Sequence, residues 1–273
     1  MLDSETPKFI WDDSAKFKNF RSDSKDTQSA ISAFGTALGR MLIKGCPDFI
    51  PFANISAADL RSSILASRPF VDITSLLGFL WGVGIPVIHL RVHPLAAKNM
   101  CAMTVRAGDR YAILLARDAN YPAATTFHLA HEIAHIALGH LTENGSLIDM
   151  DDPTERVEEE DQEEVSADCY ALEMLTGYSN LIVENIGEGN GAQQLAAEVR
   201  RQGKASSIEP GTLALCYGYT TKNWATANKA MKFIYEKPSP VWSPINKIAL
   251  SQINWENMSD ESMSYIRAVM GGI

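Results

Sequence analysis

Apolar side chains recur at helical spacing in several segments of the chain. Residues 27–45 (TQSAISAFGTALGRMLIKG) carry apolar positions about one turn apart, and Gly45 is a typical helix stop. Ser56 and Asp72 are typical caps for two further helices, which start at AADLRSSIL and ITSLLGFLWGVG. Beyond residue 180, three segments are also predicted to be helical: GAQQLAAEVRRQG, PGTLALCYGYTTKNWATANKAMKFIY and SDESMSYIRAVM.

Strand-like patterns lie between these helices. PVIHLRV predicts one strand, and AMTVRAGDRYAILLA predicts a hairpin that turns at Gly108-Asp109. Pro122 begins the next predicted helix, LTENGSLIDMDDP is predicted to be a loop, and a further helix is predicted from about Thr154 to Leu175. This order of elements indicates an α+β fold.

The pattern divides the chain into four parts. Residues 1–26 are polar with mixed charge and are predicted to be a mobile tail. Residues 27–57 are predicted to be a helical N-terminal region, residues 58–180 the α+β domain, and residues 181–273 a helical C-terminal domain.

The charge of the chain is concentrated in one acidic segment. The net charge is -9, and residues 149–164 hold ten acidic residues against the single Arg156, which also gives -9. The rest of the chain is close to neutral, so no basic surface for nucleic acid is indicated and a protein partner is favoured. The sequence begins without a signal peptide and has no apolar run long enough to span a bilayer, so a cytoplasmic protein without a membrane partner is expected.

The segment FHLAHEIAHIALGH, residues 127–140, carries the clearest chemistry. On a helix His131 and His135 point within about 40° of each other, because each residue turns about 100°. Glu132 lies about 100° from His131, where it can act on a water without binding the metal. This H-E-x-x-H arrangement indicates two nitrogen ligands for Zn²⁺ and a general base for peptide hydrolysis. The alternative is an alanine-rich core helix that carries histidines, although buried polar groups need partners.

A catalytic zinc ion usually has three protein ligands and one open position. Glu160, Glu164 and Asp168 share one face of the next predicted helix. We favour Glu164 as the third ligand because Ala167 follows at i+3 and lets the two helices approach. Asp168 is a candidate to orient a ligand histidine. The alternative is an ordinary solvated acidic face.

The two motifs FHLAHEIAHIALGHL and EEVSADCYALEMLTG together resemble the ImmA/IrrE family of metallo-endopeptidases. The resemblance covers about residues 58–180, and His128 and Ala134 stand where that family often has Thr and Gly. The positions that match are Phe127, Ala130, His131, Glu132, His135, Glu164, Ala167, Asp168, Tyr170 and Ala171.

The resemblance implies a zincin-like domain with an active-site helix, a small antiparallel sheet and a ligand helix. It implies Zn²⁺ bound by His131, His135 and Glu164, with Glu132 as the catalytic base. The implied substrate is a protein partner, either a helix-turn-helix repressor of a stress-response or mobile-element circuit or an antitoxin.

Two points stay open from the sequence. The chain is either this endopeptidase or a non-proteolytic regulator or toxin–antitoxin component that uses the zinc fold to bind a partner protein or DNA. For the oxyanion of the reaction, His128, His140 and Tyr121 are all candidates. The hairpin at residues 102–116 is predicted to offer an edge strand to an extended substrate.

Overall fold

The protein is described by a computed structural model that covers residues 15–18, 25–52, 54–92, 100–142, 146–149, 162–183 and 191–272. The described part is an α+β fold, as predicted. Its strands are β1 (Ala15–Lys18), β2 (Val87–His89), β3 (Ala102–Ala107), β4 (Arg110–Leu115) and β5 (Ser146–Asp149). Its helices are α1 (Lys25–Lys44), α2 (Ala57–Leu65), α3 (Ile73–Gly82), α4 (Pro122–Ala137), α5 (Gln162–Thr176), α6 (Ala192–Ser206), α7 (Pro210–Thr221), α8 (Trp224–Ile234), α9 (Trp242–Gln252) and α10 (Asp260–Val269).

The strands form one mixed sheet in the order β1-β5-β3-β4-β2. The predicted hairpin is confirmed: β3 and β4 pair antiparallel, and Gly108 between them has a φ of 64°. β3 also pairs antiparallel with β5, but β2 lies parallel to β4 and β1 lies parallel to β5. The expectation of a wholly antiparallel sheet was therefore wrong for both outer strands. β2 and β4 run in the same direction because the chain reverses direction between β2 and β3 and again in the hairpin between β3 and β4.

A second prediction was also wrong: the segment expected to be a loop contains strand β5. Its Leu147 and Ile148 are buried on opposite faces of the sheet, which holds the strand in place. β3 and β4 are consequently inner strands, and the hairpin does not offer the edge that we expected for a substrate. Residues 15–18 of the expected N-terminal tail form strand β1 beside β5, while residues 1–14 and 19–24 lie outside the described part.

The sheet separates two apolar layers. On one face, Leu129 and Ile133 of α4 pack with Ile113 of β4. On the other face, Leu38 of α1 packs with Met103 of β3 and with α10. The predicted caps at Ser56 and Asp72 are confirmed, since each side chain accepts a hydrogen bond from the backbone of the following helix. Among the described residues, no helix combines the length and apolar content needed to cross a lipid bilayer.

The helices of residues 181–273, the predicted helical C-terminal domain, pack in two groups. Helices α6, α7 and α8 form their own apolar cluster, and α7 contacts α4. Helices α9 and α10 instead pack on the sheet with α1. Asn246 of α9 explains this position, because it accepts a hydrogen bond from His89 N at 2.7 Å and donates one to His89 O at 2.8 Å. These two bonds satisfy the backbone N–H and C=O of His89 on the edge of β2.

Candidate metal centre

Helix α4 carries the centre and is held on two sides by apolar packing. Pro122 occupies its first turn, where a missing N–H costs nothing. Ala130 and Ala134 are fully buried, as are Ala167 and Ala171 of α5. These short side chains let α4 and α5 pack directly against each other. The predicted close approach of the two helices is confirmed.

Three side chains from these helices converge. His131, His135 and Glu164 each offer a ligand atom, and these atoms lie within 4.8 Å of one another. The Nε2 atoms of the two histidines are 2.9 Å apart. Each Nε2 also lies 3.3 Å from a carboxylate oxygen of Glu164. The exposed fractions are 1%, 0% and 5%, so the cluster is shielded from bulk water.

These distances are close to those expected around one bound metal ion. With bonds of about 2.0–2.2 Å to nitrogen or oxygen, the ligand atoms of a zinc ion lie roughly 3.3–3.5 Å apart. The Nε2 atoms of His131 and His135 lie 3.3 Å from different oxygens of the Glu164 carboxylate, and the Nε2–Nε2 distance is a few tenths of an ångström shorter. Two imidazoles and a carboxylate are also the donor set of known three-ligand catalytic zinc sites.

Both histidines of the cluster are also contacted at their other ring nitrogen. His131 Nδ1 lies 2.8 Å from Asp168 Oδ1, and His135 Nδ1 lies 2.8 Å from His140 Nδ1. Such contacts fix the orientation of a ring and would leave Nε2 free to face a metal. Asp168 therefore lies beside a histidine of the cluster, and its role in orienting a metal ligand stays a prediction.

Glu132 is fully buried on the side of α4 that faces the sheet. The hydroxyl of Thr104 in β3 donates a hydrogen bond to its Oε2. Sequence reasoning missed Thr104, although a signal existed: it is a polar residue in the middle of the buried run AMTV. The bond holds the Glu132 carboxylate against β3.

Without a metal, the cluster stabilises a proton on His131. Burial alone would lower the pKa of this imidazole. The hydrogen bonds and charges of Asp168 and Glu164 outweigh burial and raise the pKa to about 10. Burial opposes ionisation of Glu164, but its contacts with His131 and His135 hold its pKa far below the usual range. The metal-free centre is therefore an ion pair, and a metal ion would replace the proton.

The remaining candidates make other contacts or lie outside the described residues. Glu160 lies outside the described residues. His128 lines a small cavity of about 30 Å³ with Cys101, and the ring of Tyr121 stacks on Tyr235 with centroids 5.7 Å apart.

Tyr121 lies ten residues before His131, about 15 Å along the helix axis. His140 lies against His135. The role of oxyanion donor stays a prediction for all three residues.

The comparison with protein families adds one finding. The family model of Peptidase U49 matches residues 105–185. The match begins within β3 and contains α4 and α5, so all three converging residues lie inside it. It supports a peptidase, but it covers less than a third of the chain and does not single out the ImmA/IrrE family. No curated protein and no solved structure matches the chain.

Proposed function

We propose that this protein is a zinc-dependent endopeptidase of the zincin type, which hydrolyses peptide bonds in a protein partner. Zn²⁺ would be held by His131, His135 and Glu164. The observation that carries the proposal is the convergence of these three buried side chains, with the buried Glu132 next to His131 on the same helix. The match to a peptidase family over the same segment supports it.

The metal supplies one part of the chemistry. When bound, Zn²⁺ lowers the pKa of a coordinated water toward about 7 and polarises a carbonyl group. The side chains of this protein supply the rest.

Glu132 accepts the proton that the attacking water loses, and later donates it to the nitrogen of the leaving amine. Thr104 holds Oε2 of Glu132 by its hydrogen bond, which keeps the carboxylate against β3. Asp168 keeps the ring of His131 in its orientation through Nδ1. The buried surroundings strengthen each of these electrostatic contacts.

The substrate class in this proposal is a protein. The resemblance of the two motifs to the ImmA/IrrE family suggests a helix-turn-helix repressor or an antitoxin. The acidic segment at residues 149–164 agrees with a protein partner better than with nucleic acid, because it would repel phosphate groups.

The proposal is tested with a peptide library and mass spectrometry of the new termini. The zinc-loaded wild-type protein and the Glu132→Gln variant are incubated with the same library. We expect cleavage by the wild-type protein, a loss of at least about 100-fold in the variant, and equal zinc content in both. Removal of the metal with a chelator should stop cleavage, and added Zn²⁺ should restore it.

Equal cleavage by Glu132→Gln would contradict the proposed mechanism. If neither protein cuts any library peptide while both bind zinc, the non-proteolytic alternative is favoured instead. A candidate repressor is then added as the probe, and its binding without cleavage is the outcome which that alternative predicts.

A further inference from the structure

The end of helix α4 places a second histidine against a ligand histidine. The helix ends at Ala137, and Gly139 takes a left-handed conformation with a φ of 74°. Gly139 N then donates to Ile136 O at 3.3 Å, and His140 N donates to His135 O at 3.0 Å. These two bonds are those of a Schellman motif, in which the second residue after the cap returns to the third residue from the helix end.

In this motif the returning residue contacts the helix residue that it bonds. Here the two are His140 and His135. Their ring centroids are 5.0 Å apart, and their Nδ1 atoms are 2.8 Å apart. A contact that is usually apolar is therefore a hydrogen bond between two imidazoles. The turn at Leu138-Gly139-His140 brings the two rings together.

The hydrogen bonds of this pair have one direction when His135 is a metal ligand. A ligand imidazole presents the lone pair of Nε2, so its proton is on Nδ1 and His135 donates to His140 Nδ1. His140 then carries its proton on Nε2, which lies 3.4 Å from Ser166 Oγ. Ser166 Oγ donates in turn to Glu163 O at 2.9 Å, so it accepts from His140.

Resting on the proposed function, we infer that His140 is a positioning residue for the metal ligand His135, held between the Schellman turn of α4 and Ser166 of α5. It fixes the Nδ1–H tautomer of His135 and the orientation of its ring. Because Ser166 lies two residues from Glu164 on the same helix, α5 supports one ligand histidine indirectly while it supplies a ligand of its own.

The first test compares two substitutions of His140. His140→Phe keeps a ring of similar size but removes both nitrogens. His140→Asn keeps an acceptor for His135 and a donor for Ser166. We expect zinc affinity, measured by competition with a chromogenic chelator, to fall about 10- to 100-fold in His140→Phe and to recover largely in His140→Asn. Leu138→Ala is the control for changes in the same turn, since that side chain is 41% exposed.

A spectroscopic readout separates positioning from general stability. In the zinc-loaded wild-type protein, nitrogen NMR should show His135 in the Nδ1–H tautomer with a narrow, single signal. In His140→Phe this signal should broaden or split, and in His140→Asn it should be restored. A change in thermal stability alone would not alter it.

The turn itself provides an independent pair of variants. Nothing lies within 4 Å of a Cβ added at Gly139, so its positive φ is what limits substitution. Gly139→Asn tolerates this conformation, whereas Gly139→Val does not. We expect Gly139→Val to weaken zinc binding several-fold more than Gly139→Asn, and this pair decides the question if His140→Phe does not fold.

Three outcomes would overturn the inference. Wild-type zinc affinity and an unchanged His135 signal in His140→Phe would show that His140 positions nothing. An equal loss of zinc affinity in His140→Phe and His140→Asn would show that the hydrogen bond to His135 does not cause the effect. Absence of zinc binding by the wild-type protein would overturn this inference together with the proposed function, whereas the first two outcomes leave that function intact.

Discussion

Zinc binding should release a proton from His131, and this release can be counted. In the metal-free protein, burial lowers the pKa of His131, but the contacts with Asp168 and Glu164 outweigh it and raise the pKa to about 10. At about pH 8 the imidazole is then charged in about 99% of molecules, and it must lose its proton to bind the metal. The apparent affinity should therefore rise about tenfold per pH unit, or about 1.4 kcal/mol, below pH 10.

The assay is titration calorimetry with Zn²⁺ at about pH 8 in buffers that differ in ionisation enthalpy. The dependence of the measured heat on that enthalpy gives the number of protons released, and we expect at least one. Asp168→Asn is the matched variant. It removes the negative charge of Asp168 and leaves only a neutral acceptor for His131 Nδ1, so it should release a smaller fraction of a proton at about pH 9. A wild-type value of zero would refute the ion pair that we describe.

The same shift predicts how the stability of the metal-free protein depends on pH. The folded pKa of His131 lies above its unfolded value of 6.5, so the stabilising contribution is complete below about pH 6.5. It is lost as the pH rises toward 10, with a slope of up to about 1.4 kcal/mol per pH unit. The zinc-loaded protein should lack this contribution, since its His131 is neutral throughout. Urea unfolding of both forms at several pH values measures the difference.

Three further substitutions follow from single contacts. The buried guanidinium of Arg61 donates hydrogen bonds to Leu175 O and Ser207 O, each at 2.7 Å, at the ends of α5 and α6. Arg61→Ala removes these bonds and should lower the free energy of unfolding, measured by urea titration, by about 2–4 kcal/mol. A loss below about 0.5 kcal/mol would contradict this. Thr104→Val should slow peptide cleavage about tenfold at constant zinc content, and an unchanged rate would exclude its role beside Glu132. Glu164→Ala should weaken zinc binding more than Asp168→Ala, whose effect should be about 10- to 100-fold; the reverse order in a zinc titration would exclude the ligand assignment.

The sequence predicts the central helices well because their signals are local. Pro122, the buried alanines and the four-residue spacing of the histidines all lie on α4. Glu164 was favoured because a small residue follows one turn later, and Ala167 is indeed fully buried. The structure brings Glu164 to the histidines at 3.3 Å.

The parts that the sequence did not predict depend on contacts between distant segments. β5 lies in a polar segment with an Asn-Gly pair, and its pairing with β3 on one side and β1 on the other makes it a strand. The parallel pairing of β1 with β5 joins residues about 130 positions apart, which no local pattern reports. Asn246 on α9 likewise acts on His89, 157 residues away.

His140 is one of the candidate oxyanion donors named from the sequence, and its contact with His135 was not predicted. The Gly139 turn directs His140 back to His135. A histidine two residues after the C-cap of the helix, with glycine before it, is the local signal that indicates this arrangement.

The central claim is a metal site built from His131, His135 and Glu164, and metal content tests it most directly. The wild-type protein and the His131→Ala and His135→Ala variants are loaded with Zn²⁺ and desalted. Their zinc content is then measured by inductively coupled plasma mass spectrometry. We predict one zinc ion per wild-type chain and a loss of most zinc in each variant. Full zinc occupancy in both variants, or no zinc in the loaded wild-type protein, would contradict the account.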